Sequence, residues 1–127
     1  ARRDWGYAPE FCEGMWLMLQ QNEPDDYVLS TGSTHTVREF VELTFKELNI
    51  ELEWRGKGAD EVGIDTQTGK TLVSVDTNYC RPTEVDVLIG DSSKAKTQLG
   101  WESKTTLKEM VELMVRSDLE KIKSRGY

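Results

Sequence analysis

Apolar positions recur along the chain in short stretches whose spacing switches between helical and alternating. Pro9 suits a first helical position, where its missing N–H leaves nothing unpaired. After it, Phe11, Met15, Leu17, Met18 and Leu19 form an apolar stripe thickened by Trp16, which predicts a helix as far as the polar loop Asn22–Asp26. Tyr27-Val28-Leu29-Ser30 is an apolar run with no helical period and reads as a buried strand. Gly32 and Ser33 turn the chain. Thr36-Val37-Arg38-Glu39 then has capping-box spacing, in which each end of the box satisfies a backbone N–H of the other. The helix it opens puts Val37, Phe40, Val41, Thr44, Phe45 and Leu48 on one face.

Ile50-Glu51-Leu52-Glu53-Trp54 alternates as a half-buried strand should. From Arg55 to Lys70 the chain is Gly-rich and charged, with a turn at Asp65–Lys70, and this is the segment expected to be most mobile. Alternation returns in Thr71–Asp76, a second strand, followed by a loop through Tyr79–Glu84 and a short strand at Val85–Ile89. Asp91 or Ser92 caps a short helix that stops at Gly100, with Trp101 folding back on it. Thr106 and Glu109 form a second capping box. The helix it opens runs to about Lys123, with Leu107, Met110, Val111, Met114, Leu119 and Ile122 apolar. The outcome is a mixed α/β chain of α+β kind, with about four helices and four to five short strands.

A chain of 127 residues suits one compact domain. Its net charge of −7 argues against general nucleic-acid binding, which needs a basic face. A small basic pocket for one phosphorylated ligand is still permitted, because net charge says nothing about local geometry. Cys12 and Cys80 read as free thiols in a reducing compartment, which points to the cytoplasm. No apolar run approaches the ~20 residues that span a bilayer, so no membrane partner is expected. The chain opens on Ala1 rather than Met and is expected to be part of a longer protein.

The motifs assemble no catalytic constellation, and no metal site is expected. No GxGxxG opens a strand–turn–helix, and no GxSxG or phosphate loop is present. His35 is the one histidine and lies in a Ser/Thr-rich turn, so a helix-start surface role is expected of it. Two arginine-bearing segments differ from this background. Arg2-Arg3-Asp4-Trp5-Gly6-Tyr7 places two guanidiniums before a helix, either as a phosphate-binding pair or as a solvated charged terminus. In Arg81-Pro82-Thr83-Glu84-Val85-Asp86 the proline stiffens the loop and holds Arg81 extended. There Arg81 could take phosphates and Glu84 accept from ribose hydroxyls, or the two could form an ordinary surface pair.

The order of these segments resembles a known family. Arg3-Asp4-Trp5-Gly6-Tyr7-Ala8, Met15–Gln21, Ser30-Thr31-Gly32, Val37–Val41, Glu61-Val62-Gly63, Arg81–Asp86, Gly90-Asp91, Lys94–Lys96 and Leu99-Gly100-Trp101 are together similar to GDP-mannose 4,6-dehydratases. These belong to the extended short-chain dehydrogenase class. The resemblance covers nearly the whole chain, with departures at Tyr7, where the family commonly has His, and Glu10, where it has Asp. It implies that residues 1–127 are the C-terminal, substrate-binding portion of a Rossmann-type enzyme. Residues 27–48 would then pack on an N-terminal half that binds NADP and carries the catalytic residues. Catalytic residues and cofactor are accordingly expected to be none in this chain, which would be inert alone.

The implied full reaction converts GDP-mannose to GDP-4-dehydro-6-deoxy-mannose and water, with homo-oligomers, dimers or tetramers, as the assembly. The residues carried over are Arg3 and Arg81 as diphosphate ligands, Glu84 on the ribose hydroxyls and Arg2 as an auxiliary, with Tyr79 beside the nucleoside. The alternatives are another nucleotide-sugar epimerase or dehydratase, and a non-enzymatic binding module. A separated portion of this kind would expose one side of the Tyr27–Ser30 segment and self-associate.

Overall fold

The computed structural model of the chain describes residues 1–126. Its elements in order are β1 (Arg2–Arg3), α1 (Ala8–Leu19), β2 (His35–Thr36), α2 (Val37–Glu47), β3 (Leu52–Arg55), β4 (Val62–Asp65), β5 (Thr71–Ser74), α3 (Ser93–Leu99) and α4 (Leu107–Arg125). The strands form two small antiparallel sheets, β1–β2 and β3–β4–β5. The mixed α/β character expected from the periodicity is therefore found, with four α-helices and five strands among the described residues.

Both capping boxes form. Thr36 Oγ1 accepts from the Glu39 N–H, and Glu39 Oε2 accepts from the Thr36 N–H, each at 3.1 Å. The Thr106–Glu109 pair repeats this at 3.2 and 3.1 Å. Each box thus satisfies two donors that a helix start leaves unpaired. The two helices then pack on each other. Leu107, Met110, Val111 and Val115 of α4 are buried against Phe40, Leu43, Leu48, Trp5 and Tyr7. Trp5 meets Phe40 edge to face, with centroids 5.1 Å apart. A second cluster forms where Gly100, in the left-handed region at φ +68, ends α3 and lets Trp101 fold back on Ala95 and Leu99. Trp101 is 2% exposed, stacks edge-on against Phe11 and donates its Nε1–H to the Glu10 carbonyl at 2.7 Å.

The apolar faces differ in detail from the sequence expectation. Val37 is 53% exposed, and Leu43 takes its place against α4. Met114 and Ile122 are about half exposed, whereas Val115 is buried. The larger difference lies in residues 55–70, expected to be the most mobile loop. They contain β4, the central strand of the three-stranded sheet. Only Val62 and Ile64 mark it as apolar, because Gly63 stands where a side chain would be crowded. A Cβ there would lie 3.1 Å from Trp54 Cζ3 and 3.2 Å from Val73 Cβ. The Trp54 and Val73 side chains from the flanking strands cover the space that a side chain would fill.

The turn expected at residues 65–70 is present. Asp65 Oδ1 accepts from the Gln67 N–H at 2.9 Å, and Gly69 sits at φ +71. Trp54 ties the sheet to α2, donating to Glu42 Oε1 at 2.8 Å and lying 5.2 Å from the Arg38 guanidinium, which also pairs with Glu61.

Two expected strands are not paired as such. Tyr27–Ser30 joins no sheet, yet Tyr27 and Leu29 pack on the Trp101 cluster, Val28 is 53% exposed and Ser30 is buried. Val85–Ile89 makes a single bridge, Arg2 to Val87, in parallel sense. Among the described residues neither extends into a ladder: Val85–Ile89 meets β1 only at Arg2, and Tyr27–Ser30 pairs with no strand. A strand is defined by its partner, and sequence pattern cannot supply one.

Candidate functional site

β1 is two residues long but is bonded on both sides. On one side Arg2 and Arg3 lie opposite Thr36 and His35 of β2. On the other, the Arg2 N–H donates to the Asp86 carbonyl at 2.7 Å, and the Leu88 N–H donates to the Arg2 carbonyl at 3.1 Å. This second set draws the Arg81–Asp86 loop alongside Arg3, although the two lie at opposite ends of most of the chain.

Successive strand residues point to opposite faces. Arg2 turns to Thr34, donating from Nε to Oγ1 at 3.1 Å and from Nη2 to the carbonyl at 2.8 Å. Arg3 turns to the loop. Its Nη1 donates to the carbonyls of Val85 and Arg2 at 2.7 and 2.8 Å, and its Nη2 pairs with Glu84 Oε1. Arg81 Nη1 lies 3.9 Å from the same Glu84 oxygen. Arg3, Arg81 and Glu84 are therefore brought together, and Arg2 is not. Arg3 is the anchored member at 21% side-chain exposure, and Arg81 is the free one at 76%. Tyr79, 83% exposed, ends a 3-10 turn at Thr77–Tyr79 just before the loop.

Asp4 is a structural neighbour that pattern reading passed over. Its Oδ1 accepts from the Thr31 N–H at 3.0 Å and from Thr31 Oγ1 at 2.5 Å, and its Oδ2 accepts from the Gly32 N–H at 2.9 Å. The acid after Arg3 thereby fixes the Ser30–Gly32 turn to β1. The one available signal was an acid facing a Ser-Thr-Gly turn, a combination whose meaning depends on distance in space. A groove of about 640 Å³ opens beside Arg3, walled by Phe11, Met15, Val28, Leu88 and Ile89. Ser30 faces it and carries a buried hydroxyl without a hydrogen-bond partner among the described residues. The floor is tight, since a Cβ on Gly90 would lie 2.5 Å from Ser30 Cβ.

Glu10 performs the same kind of clamping elsewhere. Burial pushes its carboxyl up, but donors outweigh it: the Thr105 hydroxyl, the Lys104 N–H at 3.0 Å and the Thr105 N–H at 2.9 Å. Together they hold it below its ordinary value of 4.5. His35 Nδ1 lies 3.1 Å from Glu39 Oε2 at the start of α2, in keeping with a helix-start role. Cys12 and Cys80 are free thiols, both exposed. Among the described residues, no three His, Cys, Asp or Glu side chains gather as a metal ion would require, and no helix is long and apolar enough to cross a membrane.

The family model for GDP-mannose 4,6 dehydratase matches residues 1–114, so both arginine-bearing segments lie inside the match. The chain belongs to the GDP-mannose 4,6-dehydratase family. It is 52% identical over 124 residues to the GDP-mannose 4,6 dehydratase of Dictyostelium discoideum, covering 98% of this chain and 35% of that protein. It is 53% identical over 119 residues to the enzyme of Sinorhizobium fredii, covering 94% and 34%. With the human protein it shares 50% over 120 residues, covering 94% and 32%. The chain thus spans about a third of the length of the curated relatives it matches.

Family membership raises the question of a dinucleotide. The chain has one Gly-x-Gly after a strand, Gly56-Lys57-Gly58 following β3. It leads into a three-residue 3-10 turn, Gly58–Asp60, and then into the antiparallel strand β4. A pyrophosphate cradle needs a helix N-terminus at that point, and a parallel strand to follow. This segment does not fit a dinucleotide cofactor.

Proposed function

We propose that this chain is the substrate-binding portion of a GDP-mannose 4,6-dehydratase and contributes the side chains that hold GDP. The observation that carries the reading is the convergence of Arg3 and Glu84, 81 positions apart, with Arg81 against the same carboxylate. Guanidinium groups suit phosphate oxygens because their donors are planar and paired. Arg3 is anchored by two backbone carbonyls, so it offers a fixed donor to a diphosphate. Arg81, mostly exposed, closes from the other side. Glu84 accepts from the vicinal hydroxyls of the ribose. Arg2, held by Thr34, supports β1 and does not touch the ligand.

In this reading the whole protein converts GDP-mannose to GDP-4-dehydro-6-deoxy-mannose and water, with NADP bound by residues outside this chain. NADP supplies reversible hydride transfer. The 127-residue chain alone binds GDP weakly and turns over no substrate. Calorimetric titration with GDP, UDP and dTDP tests it. Binding to GDP that weakens about ten-fold or more in Arg81→Ala is expected, since charge-assisted bonds contribute roughly 1.5–3 kcal/mol. Unchanged GDP binding in that variant would sink the assignment. Equal binding of all three nucleotides would point to a different nucleotide-sugar enzyme.

A further inference from the structure

The apposition of two guanidiniums on one oxygen of Glu84 has a chemical meaning beyond ribose binding, and it rests on the diphosphate reading above. Arg3 has spent Nη1 on backbone carbonyls, which leaves Nη2 facing Glu84 Oε1. Arg81 reaches the same oxygen at 3.9 Å and has no other ion-pair partner among the described residues. The carboxylate oxygen therefore occupies the place between the two cations that a phosphate oxygen would take. We infer that Glu84 is an internal stand-in for phosphate, displaced by the diphosphate and thereby freed to read the sugar hydroxyls.

Charge drives the exchange. Glu84 brings one negative charge and two oxygens, whereas a diphosphate brings at least two charges and many more acceptors. The incoming anion is the better partner for both guanidiniums, and it repels the carboxylate it replaces. Once released, that carboxylate lacks a donor and accepts hydrogen bonds from the hydroxyls of the adjacent ribose. Recognition of phosphate and of the diol is then coupled. Glu84 opposes binding of a bare diphosphate and favours binding of a nucleoside diphosphate with an intact ribose. By linkage the coupling is reciprocal, so the diol also strengthens the diphosphate contact.

The consequence is a pair of opposite signs. A residue that merely shaped the site would weaken all ligands when replaced. Glu84→Gln should instead bind inorganic pyrophosphate about five-fold more tightly than the native chain, the scale of releasing one partly exposed ion pair. The same variant should lose the preference for GDP over 2′-deoxy-GDP that the native chain shows. Glu84→Ser, which removes the charge with a different side chain, should change pyrophosphate binding in the same direction. Both changes fall on a loop, and circular dichroism is the check that each variant is folded.

Calorimetric titration of pyrophosphate, GDP and 2′-deoxy-GDP into the native chain, Glu84→Gln, Glu84→Ser, Arg3→Ala and Arg81→Ala decides the matter. Tighter pyrophosphate binding with lost ribose discrimination supports the stand-in. If the arginine variants weaken pyrophosphate but the Glu84 variants leave it unchanged or weaken it too, the stand-in is wrong and the diphosphate site survives. If the arginine variants bind pyrophosphate as the native chain does, or if no protein binds it, the site itself is wrong and the inference falls with it.

Discussion

The α2–α4 half of the molecule and the strip around β1 are built by different means. The two helices that face each other in the helical half are distant in sequence, but each is specified by local signals. Each helix has its own capping box, its own apolar stripe and a partner helix to pack against. The strip is assembled from residues far apart. Arg3 meets Glu84 and Val85, Asp4 meets Thr31 and Gly32, and Ser30 lies under Gly90. The facing side of α4 buries Leu107, Met110, Val111 and Val115, whereas the strip and the adjoining face of α1 leave Met15, Trp16, Leu19, Val87 and Ile89 about half exposed or more. One region is held by apolar burial, and the other by a few polar contacts around the proposed diphosphate site.

The sharpest way to break this contrast is to attack the packed clusters. Trp101→Ala should cost about 3–5 kcal/mol, read from urea unfolding, because a 2%-exposed indole is removed from a filled site. Leu19→Ala at the opposite extreme, 82% exposed, should change stability by no more than about 0.5 kcal/mol. Comparable losses in the two would show that apolar burial does not set what a side chain contributes.

Helix starts come next in size. Thr36→Ala and Thr106→Ala should each cost about 1 kcal/mol, since each removes the hydroxyl half of a capping box. The two effects should add, provided the two helix starts do not share partners.

A smaller effect separates the regions by pH. Glu10 has a folded pKa below its ordinary 4.5, so the unfolded chain takes up the proton first as pH falls. Its contribution is therefore complete above that value and is lost as the pH drops through the folded pKa. Glu10→Gln should be less stable than the native chain near pH 7, with the difference shrinking toward acid. Parallel unfolding curves at all pH values would show that the clamp on Lys104 and Thr105 contributes nothing.

The smallest stability change is expected at the site. Arg81→Ala, at a side chain 76% exposed, should leave the unfolding midpoint where it is while lowering GDP affinity. The apolar face gives a further reading in the same vein. The chain is expected to self-associate at high concentration, and Leu19→Lys should shift sedimentation toward monomer without altering stability.

How far sequence reading reached follows the same division. Thr36–Glu39, Thr106–Glu109, the Gly100 stop and the return of Trp101 were legible because each is a local signal a few residues long. β4 was not legible, because the residue at its centre is Gly63 and the reason for that glycine lies on Trp54 and Val73 of other strands. Tyr27–Ser30 and Val85–Ile89 have strand-like composition but find no ladder among the described residues, a fact about partners rather than propensity. At the site, resemblance picked out Arg3, Arg81 and Glu84. It ranked Arg2 as an auxiliary beside Arg3, and the two faces of the strand turn Arg2 away to Thr34 instead. The clamp made by Asp4 is invisible until Thr31 and Gly32 lie beside it.

The central claim is that two arginines from distant segments hold one diphosphate. A crystal structure of the chain with GDP bound tests it most directly. The diphosphate should lie between Arg3 and Arg81, with Glu84 turned from the guanidiniums to the ribose hydroxyls. GDP bound elsewhere, with the Arg3–Glu84 pair intact, would contradict it.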